Sequence, residues 1–347
     1  MTEASGPAWG GAAALGPGNG GGPIFIGGAD RSGKTMLRAF LVSHPDISIP
    51  AIGSNMWTYF YRRHGDLADP MNFERCLTAM LRYKHVRFLD PDPERIRREF
   101  WQAEPTYGRL FALFQRHHAE RAGKPRWGDQ SGLIERYADA VLAAYPEARM
   151  LHLVRDPRDR WEAVRARWPD GRGGVGVATA RWRYSVHLAE RNLGRHPDRY
   201  RVVHFEELVL APEATLRSVC AFLAAPFVPD MLAMPGATDY RGRLAANAGE
   251  DDAQGTPAPL QAAFVGRHRD RLPPSDVAFI EWALAPEMTR LGYRPAALTL
   301  GGLERARLAL ASGPLNALRL AGWMARETVQ QRLPGQVGRR PSVGKVG

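Results

Sequence analysis

Residues 24–41 read Ile24-Phe25-Ile26-Gly27-Gly28-Ala29-Asp30-Arg31-Ser32-Gly33-Lys34-Thr35-Met36-Leu37-Arg38-Ala39-Phe40-Leu41. An apolar, β-prone run gives way to glycines and small polar residues, and apolar residues then recur with helical spacing. The pattern predicts a strand, a tight loop and a helix. Gly28 to Thr35 also match the phosphate-loop spacing G-x-x-x-x-G-K-[ST].

The predicted loop has the physical properties of an anion site. Its glycines leave backbone N–H groups free to point inward, and the helix that begins near Lys34 presents unpaired amides and the positive end of its dipole. From these residues alone, the alternative is an ordinary strand-to-helix turn with an exposed lysine. The position of the match between a strand and a helix favours the phosphate site.

The composition is that of a globular, strongly basic chain. Its 347 residues suffice for one large α/β domain or two small ones, and its formal net charge of +11 indicates anionic partners or substrates. Nucleotides, nucleic acids, sulfated or phosphorylated glycans and acidic lipid headgroups all meet that description. Charge alone does not choose among them.

Cysteine use and hydropathy bear on location. Cys76 and Cys220 are the only cysteines, and they lie far apart in sequence and outside any metal-ligand spacing. No apolar run approaches the roughly eighteen residues that span a bilayer, and the N-terminus lacks the pattern of a signal peptide. We expect a soluble, cytoplasmic protein without a disulfide or a zinc site.

The composition divides the chain into three segments. Residues 1–22 are rich in Gly, Ala and Pro and cannot bury enough surface to offset their ordering entropy, so we predict a disordered leader. Residues 23–297 carry an α/β pattern, with a mostly helical insertion at 51–121 and a glycine-rich loop at 170–176. For residues 298–347 we predict a helical, basic extension outside the core. We expect this extension to dock on the domain or to lie on an anionic membrane surface.

Strands and helices alternate through the domain, which indicates a mostly parallel sheet covered on both sides. The predicted strands are the opening run, 46–50, a strand ending at Asp129, 150–154 and 201–205. Ligands of such sheets bind at the carboxyl ends of the strands. We therefore expect Arg31, Asp129, Arg155 and Phe205 on one rim. A polar stretch at 236–260 predicts a surface loop.

A second motif, Val154-Arg155-Asp156-Pro157-Arg158-Asp159, marks the junction of a strand and a helix. Asp156 is suited to the N-cap and Pro157 to the first helical position. Arg155 directly follows the apolar strand, so its guanidinium is expected at the rim, where it can form paired charge-assisted bonds to a phosphate. For three further arginines of the helix we favour a solvated surface position: Arg158, Arg160 and Arg165.

Together the two motifs resemble the sulfotransferases that use 3′-phosphoadenosine 5′-phosphosulfate, over about residues 24–295. Asp30 to Thr35 is similar to the 5′-phosphosulfate loop of the tyrosylprotein and bacterial branches, and Leu153 to Asp159 to their 3′-phosphate segment. Phe205 to Val209 and Gly266 to Tyr293 resemble two later family segments. The resemblance implies an α/β fold with a parallel central sheet flanked by helices, the P-loop-containing, sulfotransferase-like fold.

The resemblance also implies roles for individual residues. The 5′-phosphosulfate would be held by Arg31, Ser32, Gly33, Lys34 and Thr35, and the 3′-phosphate end by Arg155, Arg167 and Arg267. Direct sulfuryl transfer needs positioned cations and an aligned acceptor hydroxyl, and it requires no metal. Arg31 and Lys34 are the cationic candidates. The implied acceptor is a hydroxyl of a small molecule, glycan or lipid, on the side of the helical insertion.

The sequence departs from the family pattern at several positions. Ala163 stands where a serine usually donates to the 3′-phosphate, Gln130 stands for a lysine, and Phe205 stands for a tyrosine. Lys34 stands for a usual threonine and restores a charge near the donor.

The general base is not evident. The acidic residue expected after the extended piece is missing, because positions 50–55, including Ile52 and Gly53, carry no acid. Asp129, at a strand end, is our candidate base, with His85 behind it. The alternative for Asp129 is a structural carboxylate that caps the following helix.

Three other functional classes remain open. An ATP-dependent kinase or other nucleoside triphosphatase fits the Lys34-Thr35 match, but such an enzyme needs a strand that ends in a magnesium-binding aspartate, and the best strand ends in Arg155. A catalytically impaired nucleotide-binding homologue fits the departures. Nucleic-acid binding is the least favoured class, because the basic residues are scattered without interleaved aromatics.

Overall fold

Five parallel strands form the centre of the structure, a computed structural model that describes residues 21–168, 173–237, 240, 264–296, 298 and 300–332. The strands are β1 (Ile24–Gly27), β2 (Ile47–Ser48), β3 (Arg126–Gln130), β4 (Arg149–Val154) and β5 (Tyr200–His204). Their order is β2-β3-β1-β4-β5, and every paired strand runs parallel to its neighbour. The predicted fold class is confirmed, with β1 in the middle of the sheet.

Helices surround this sheet. They are α1 (Lys34–Leu41), α2 (Met56–Tyr59), α3 (Pro70–Arg82), α4 (Lys84–Arg87), α5 (Pro93–Phe100), α6 (Tyr107–Arg121), α7 (Ala138–Ala144), α8 (Pro157–Arg167), α9 (Gly174–Arg195), α10 (Phe205–Leu210), α11 (Pro212–Phe222), α12 (His268–Arg271), α13 (Pro274–Arg290), α14 (Gly302–Arg307) and α15 (Gly313–Arg332). A 3₁₀ turn, Ile134–Tyr137, links β3 to α7. The insertion predicted at 51–121 thus holds α2 to α6.

Successive residues of β1 face opposite sides of the sheet, as a strand covered on both faces requires. Ile24 and Ile26 pack with α1, α10 and α11, whereas Phe25 packs with the helical insertion and α7. All three side chains are buried. The strand that delivers the phosphate loop is therefore fixed from both sides.

Three predicted segments lie wholly or largely outside the described residues. These are the leader up to residue 20, most of the loop 236–260, and the end of the extension from residue 333.

The helix α9 begins inside the stretch 170–176 that we predicted as a loop. That prediction was wrong for 174–176, because glycine permits a close approach of two helices here. A Cβ atom on Gly176 would lie 2.3 Å from the carbonyl oxygen of Asn316 in α15.

The C-terminal helix α15 packs along α9. The rings of Trp323 and Tyr184 meet edge to face with centroids 5.6 Å apart, and the buried carboxylate of Glu327 pairs with Arg136 in the 3₁₀ turn. The extension thus contacts the domain close to the residues that follow β3. Among the described residues, none of the helices combines the length and hydropathy needed to cross a bilayer.

Candidate active site

The loop between β1 and α1 is wound so tightly that its glycines have no substitute. Gly28 and Gly33 have φ angles of 118° and 99°, a left-handed region that residues with side chains rarely adopt. A Cβ on Gly28 would lie 2.3 Å from the Leu153 carbonyl oxygen, and one on Gly33 would lie 2.3 Å from Cδ2 of Phe205. The loop is therefore pressed against the ends of β4 and β5.

Lys34 folds back over the loop that precedes it. Its Nζ donates to the carbonyl oxygens of Gly28 and Ala29, at 2.5 and 2.8 Å, and burial lowers the pKa of its ammonium group. Ser32 is buried and also donates to Ala29, whereas Arg31 and Thr35 are exposed. The predicted donor-loop residues thus lie together, and Lys34 in addition shapes the loop.

An ion pair between the buried Arg160 and the half-buried Asp30 fixes the loop from the side of α8. Arg160 pairs with the carboxylate of Asp30 and donates to the Asp30 carbonyl oxygen at 2.8 Å and to Ala178 of α9 at 2.9 Å. Burial opposes ionisation of Asp30, but the Arg160 guanidinium outweighs it and lowers the Asp30 pKa to about 2. The loop is thereby tied to two helices.

Our surface assignment was wrong for two of the three arginines of α8. Arg160 is buried against Asp30, and Arg158 is buried between Asp156 and Glu281. Both guanidinium groups find carboxylate partners, so burial does not leave their charge uncompensated. Arg165 agrees with the prediction, since its side chain is 41% exposed.

Arg155 lies at the carboxyl end of β4, next to the loop. Its guanidinium carbon is 4.4 Å from the ring centroid of Phe205, and its Nη atoms donate to the carbonyl oxygens of Arg31 and Phe264 at 3.3 and 2.8 Å. The Nε atom is buried and finds no hydrogen-bond partner among the described residues. Burial also lowers the Arg155 pKa. A buried, incompletely paired arginine is suited to an anion that completes its hydrogen bonds.

The structure brings Arg267 to this region. Its guanidinium carbon is 5.3 Å from the ring centroid of Phe264, the residue whose carbonyl accepts from Arg155. The carboxylate of Asp159 fixes the segment by accepting from the backbone N–H groups of Gly266 and His268, at 2.6 and 2.9 Å. Arg155 and Arg267 therefore both contact Phe264, one at its carbonyl oxygen and the other at its ring.

Arg167 is placed differently. It is exposed at the C-terminal end of α8, where it lies over the ring of Trp168. Ten residues of helix, a rise of about 15 Å, separate it from the start of α8 beside Arg155. The structure does not group Arg167 with the other predicted phosphate ligands, and its binding role stays a prediction.

Asp129 lies at the end of β3 and is 2% exposed. Its Oδ2 accepts from the hydroxyls of Ser54 and Ser131, at 2.6 and 2.8 Å, and its Oδ1 accepts from the Ser54 N–H at 3.0 Å. Burial raises its pKa. These contacts join the segment before α2 to the end of β3, which is a structural arrangement, and the catalytic role of Asp129 stays a prediction. His85 lies near the same turn, with Nδ1 2.8 Å from the Gly53 carbonyl oxygen.

A buried polar network beneath the loop was not foreseen. Glu135, fully buried, accepts from the Gly28 N–H at 3.3 Å and from the Ser185 hydroxyl at 3.0 Å. Ser185 also lies 3.2 Å from Nε2 of His152, whose Nδ1 is 2.7 Å from the Tyr200 hydroxyl. Burial lowers the His152 pKa to about 4, so the ring is neutral at physiological pH. No periodicity in the sequence marks these residues, because they come from four different elements.

A cavity of about 560 Å³ opens beside the loop. It is lined by Gly28, Ala29, Asp30, Lys34, Thr58, Tyr59, Arg63, Gly132, Leu133, Arg136, Tyr137, Arg181, Arg191, Trp323, Arg326, Glu327 and Gln330. The walls come from the helical insertion, the 3₁₀ turn, α9 and α15. The cavity thus lies towards the β3 side of the loop, whereas Arg155 and Phe205 follow β4 and β5. Within the described ranges, no group of three or more His, Cys, Asp or Glu side chains is arranged to hold a metal ion.

The geometry agrees with what comparison with known proteins finds. A model of the sulfotransferase family matches residues 23–230. The chain belongs to the sulfotransferase family. The match contains the loop, Arg155 and Phe205, and it ends before Arg267 and α15.

Individual relatives are distant. A protein-tyrosine sulfotransferase of Drosophila melanogaster is 24% identical over 284 residues, 79% of this chain and 52% of the relative. Protein-tyrosine sulfotransferase 1 of Danio rerio is 24% identical over 287 residues, 79% of this chain and 73% of the relative. The chain thus spans about half the length of the Drosophila protein. A solved sulfotransferase domain of the Synechococcus PCC 7002 olefin synthase is 22% identical, with a TM-score of 0.52, over 80% of this chain and 98% of that domain; this likeness concerns the fold.

Proposed function

We propose that the protein transfers a sulfuryl group from 3′-phosphoadenosine 5′-phosphosulfate to an acceptor hydroxyl. Family membership supports sulfuryl transfer in general, and the donor is inferred from the site. The amides and cations of the loop suit the 5′-phosphosulfate, while Arg155 and Arg267 suit the 3′-phosphate.

The observation that carries the proposal is the state of Arg155. A guanidinium that is buried, stacked on Phe205 and left with an Nε that has no hydrogen-bond partner in the described part of the chain is suited to an anionic partner. It follows β4, the strand next to β1, so this anion would lie beside the one held by the loop. A nucleotide with phosphates at both its 5′ and 3′ positions meets that requirement, and ATP lacks the second phosphate.

The kinase and nucleoside triphosphatase alternative is disfavoured by the aspartates at the strand ends. Asp129 after β3 is engaged by Ser54 and Ser131. Asp156 after β4 caps α8 through the Arg158 N–H and pairs with the Arg158 guanidinium. Both carboxylates therefore serve protein contacts, whereas triphosphate chemistry needs such an aspartate for magnesium. The impaired-homologue alternative is tested by turnover.

In the proposed reaction the acceptor oxygen forms a bond to sulfur as the bond between sulfur and the bridging phosphate oxygen breaks. Adenosine 3′,5′-bisphosphate leaves with the electron pair, and the acceptor hydroxyl loses its proton. Lys34 and Arg31 would stabilise the charge on the leaving oxygens, as preorganised cations do in phosphoryl transfer. The sequence predicts Asp129 as the acceptor of that proton; its hydrogen bonds from Ser54 and Ser131 favour the structural alternative, in which the proton passes to solvent.

We propose the cavity on the β3 side as the acceptor site, for a small molecule or the end of a glycan or lipid. Its volume is in the range of small-molecule sites. The cytoplasmic location stays a prediction. Contact of the extension with an anionic membrane also stays a prediction, supported by the exposed side chains of Leu303, Leu310 and Leu318 near Arg305 and Arg307.

Nucleotide preference tests the proposal. Adenosine 3′,5′-bisphosphate should raise the melting temperature without magnesium, because a ligand at one hundred times its Kd adds about 2.7 kcal/mol of stability. ATP with magnesium should do much less. Equal stabilisation by both nucleotides would contradict a donor site built around the 3′-phosphate.

A matched pair of variants assigns the effect to Arg155. Arg155→Ala should weaken bisphosphate binding about 10- to 150-fold, the equivalent of one charge-assisted contact of roughly 1.5–3 kcal/mol. Arg217→Ala is the control, because Arg217 also lies over a phenyl ring, that of Phe227, but on the exposed face of α11. Unchanged calorimetric affinity in Arg155→Ala would remove the main support for the proposal.

A further inference from the structure

The cavity beside the loop is strongly basic. Six of its lining residues are basic and two are acidic. The basic residues are Lys34, Arg63, Arg136, Arg181, Arg191 and Arg326. Apart from Arg181 and Arg191, which both lie in α9, they come from different parts of the chain, so the charge is a property of the assembled cavity and not of one helix surface.

The two acidic residues do not balance this charge, since each is already engaged. Asp30 is paired with Arg160, which lies outside the cavity lining, and its Oδ2 is also 3.9 Å from Nη1 of Arg181. Glu327 is paired with Arg136. Six cations therefore face two carboxylates among the described lining residues, and this excess of positive charge around one cavity is unfavourable unless an anion occupies it.

The cavity is also enclosed by a segment that lies outside the family match. Helix α15 contributes Trp323, Arg326, Glu327 and Gln330, whereas the match ends at residue 230. Trp323 packs edge to face against Tyr184, and Gly176 lets α15 approach α9 closely. The helix is thus seated firmly enough to form a wall. Tyr59 and Tyr137 add aromatic surface to the lining.

We propose that the acceptor is a small anion, a hydroxyl compound with a carboxylate or comparable charged group, and that α15 is part of its binding site. This inference rests on the proposed sulfuryl transfer. The loop face of the cavity, with Lys34, would receive the reacting hydroxyl, and Arg191 of α9 and Arg326 of α15 would bind the charged group. The aromatic surface suits a ring between the two ends.

Binding of a matched probe pair tests the proposal. We would measure 4-hydroxyphenylacetate and its neutral amide by calorimetry, on the full chain saturated with adenosine 3′,5′-bisphosphate. The carboxylate should bind at least about tenfold more tightly, since one charge-assisted contact contributes that much. Arg191→Ala and Arg326→Ala should each bring the two affinities closer together, and Arg191→Lys should retain most of the difference.

The control is Arg195→Ala, because Arg195 lies one turn further along α9, is 57% exposed and pairs with Asp139 outside the cavity. It should leave the preference unchanged, and every variant should keep its bisphosphate affinity. Equal affinity for the two probes, or binding of neither, would overturn the proposal. So would a loss of bisphosphate affinity in Arg191→Ala, since the cations would then belong to the donor. If the bisphosphate does not bind the unmodified chain, the proposed function fails, and the probe preference measured without nucleotide still decides the nature of the cavity.

Discussion

Lys34 occupies two roles that a single substitution can separate. In the structure its ammonium group bonds to the carbonyl oxygens of Gly28 and Ala29, both buried residues. Lys34→Met keeps the length of the side chain and removes these donors. Leaving buried acceptors unpaired costs roughly 1–3 kcal/mol, so the variant should melt at a lower temperature.

The catalytic consequence should be much larger than the structural one. If Lys34 stabilises charge on the departing bridging oxygen, its loss should lower turnover by about 10²- to 10³-fold. Affinity for adenosine 3′,5′-bisphosphate should fall far less, because that product carries no sulfuryl group. Turnover would be measured as bisphosphate released from the donor with an acceptor found by screening, and affinity by calorimetry.

The chain offers a matched control in Lys124. Its Nζ also donates to backbone carbonyl oxygens, those of Val42, His44 and Ile47, and burial also lowers its pKa, but it lies at the opposite end of α1 from the loop. Lys124→Met should cost similar stability and leave turnover per folded molecule intact. Near-normal turnover in Lys34→Met would refute the catalytic role and leave Arg31 with the loop amides to carry the charge. A parallel fall in turnover and bisphosphate affinity would show that Lys34 acts only by shaping the loop.

Two further predictions concern the base and the extension. Asp129→Asn should lower the melting temperature by a few degrees while turnover falls less than about tenfold, because the carboxylate accepts hydrogen bonds from Ser54 and Ser131. A loss of turnover above about 10²-fold at unchanged stability would instead support the role of Asp129 as the general base. A chain ending at residue 300 should still bind adenosine 3′,5′-bisphosphate but transfer sulfate poorly, because it lacks the cavity wall formed by α15; loss of cooperative melting would show that α15 completes the core.

The strands and the loop could be predicted because they depend on local chemistry. Apolar runs that end in Gly27 and Val154 are short and bounded by turn-forming residues, which favours buried strands, and the glycines after β1 favour a loop with left-handed backbone angles. Arg155 could be placed at the rim for the same reason, since the residue after a parallel strand lies at its carboxyl end.

Contacts between distant segments could not be predicted. Arg160 looks like any arginine on a charged helix, and only the fold brings it to Asp30, 130 positions earlier. The sequence predicts Gly176 as a loop residue, because its contact with α15 is not visible in the sequence. Arg167 was assigned from family likeness alone, and helix geometry carries it away from Arg155. For Arg160 and Gly176, the position in the structure depends on a contact with a residue far away in the sequence, so the local sequence pattern does not reveal it.

The missing acidic base and the charge of the cavity bear on the same question. Both carboxylates that line the described cavity are held by arginines: Asp30 by Arg160, which keeps its pKa near 2, and Glu327 by Arg136. A carboxylate with so low a pKa is a poor proton acceptor, because base strength follows pKa. The surrounding cations act in the opposite sense, since they lower the pKa of an acceptor hydroxyl brought among them. The arrangement therefore favours an acceptor whose hydroxyl is itself acidic, such as a phenol. For such an acceptor, positioning and the surrounding positive charge promote loss of the hydroxyl proton, which is the task of a general base in other enzymes.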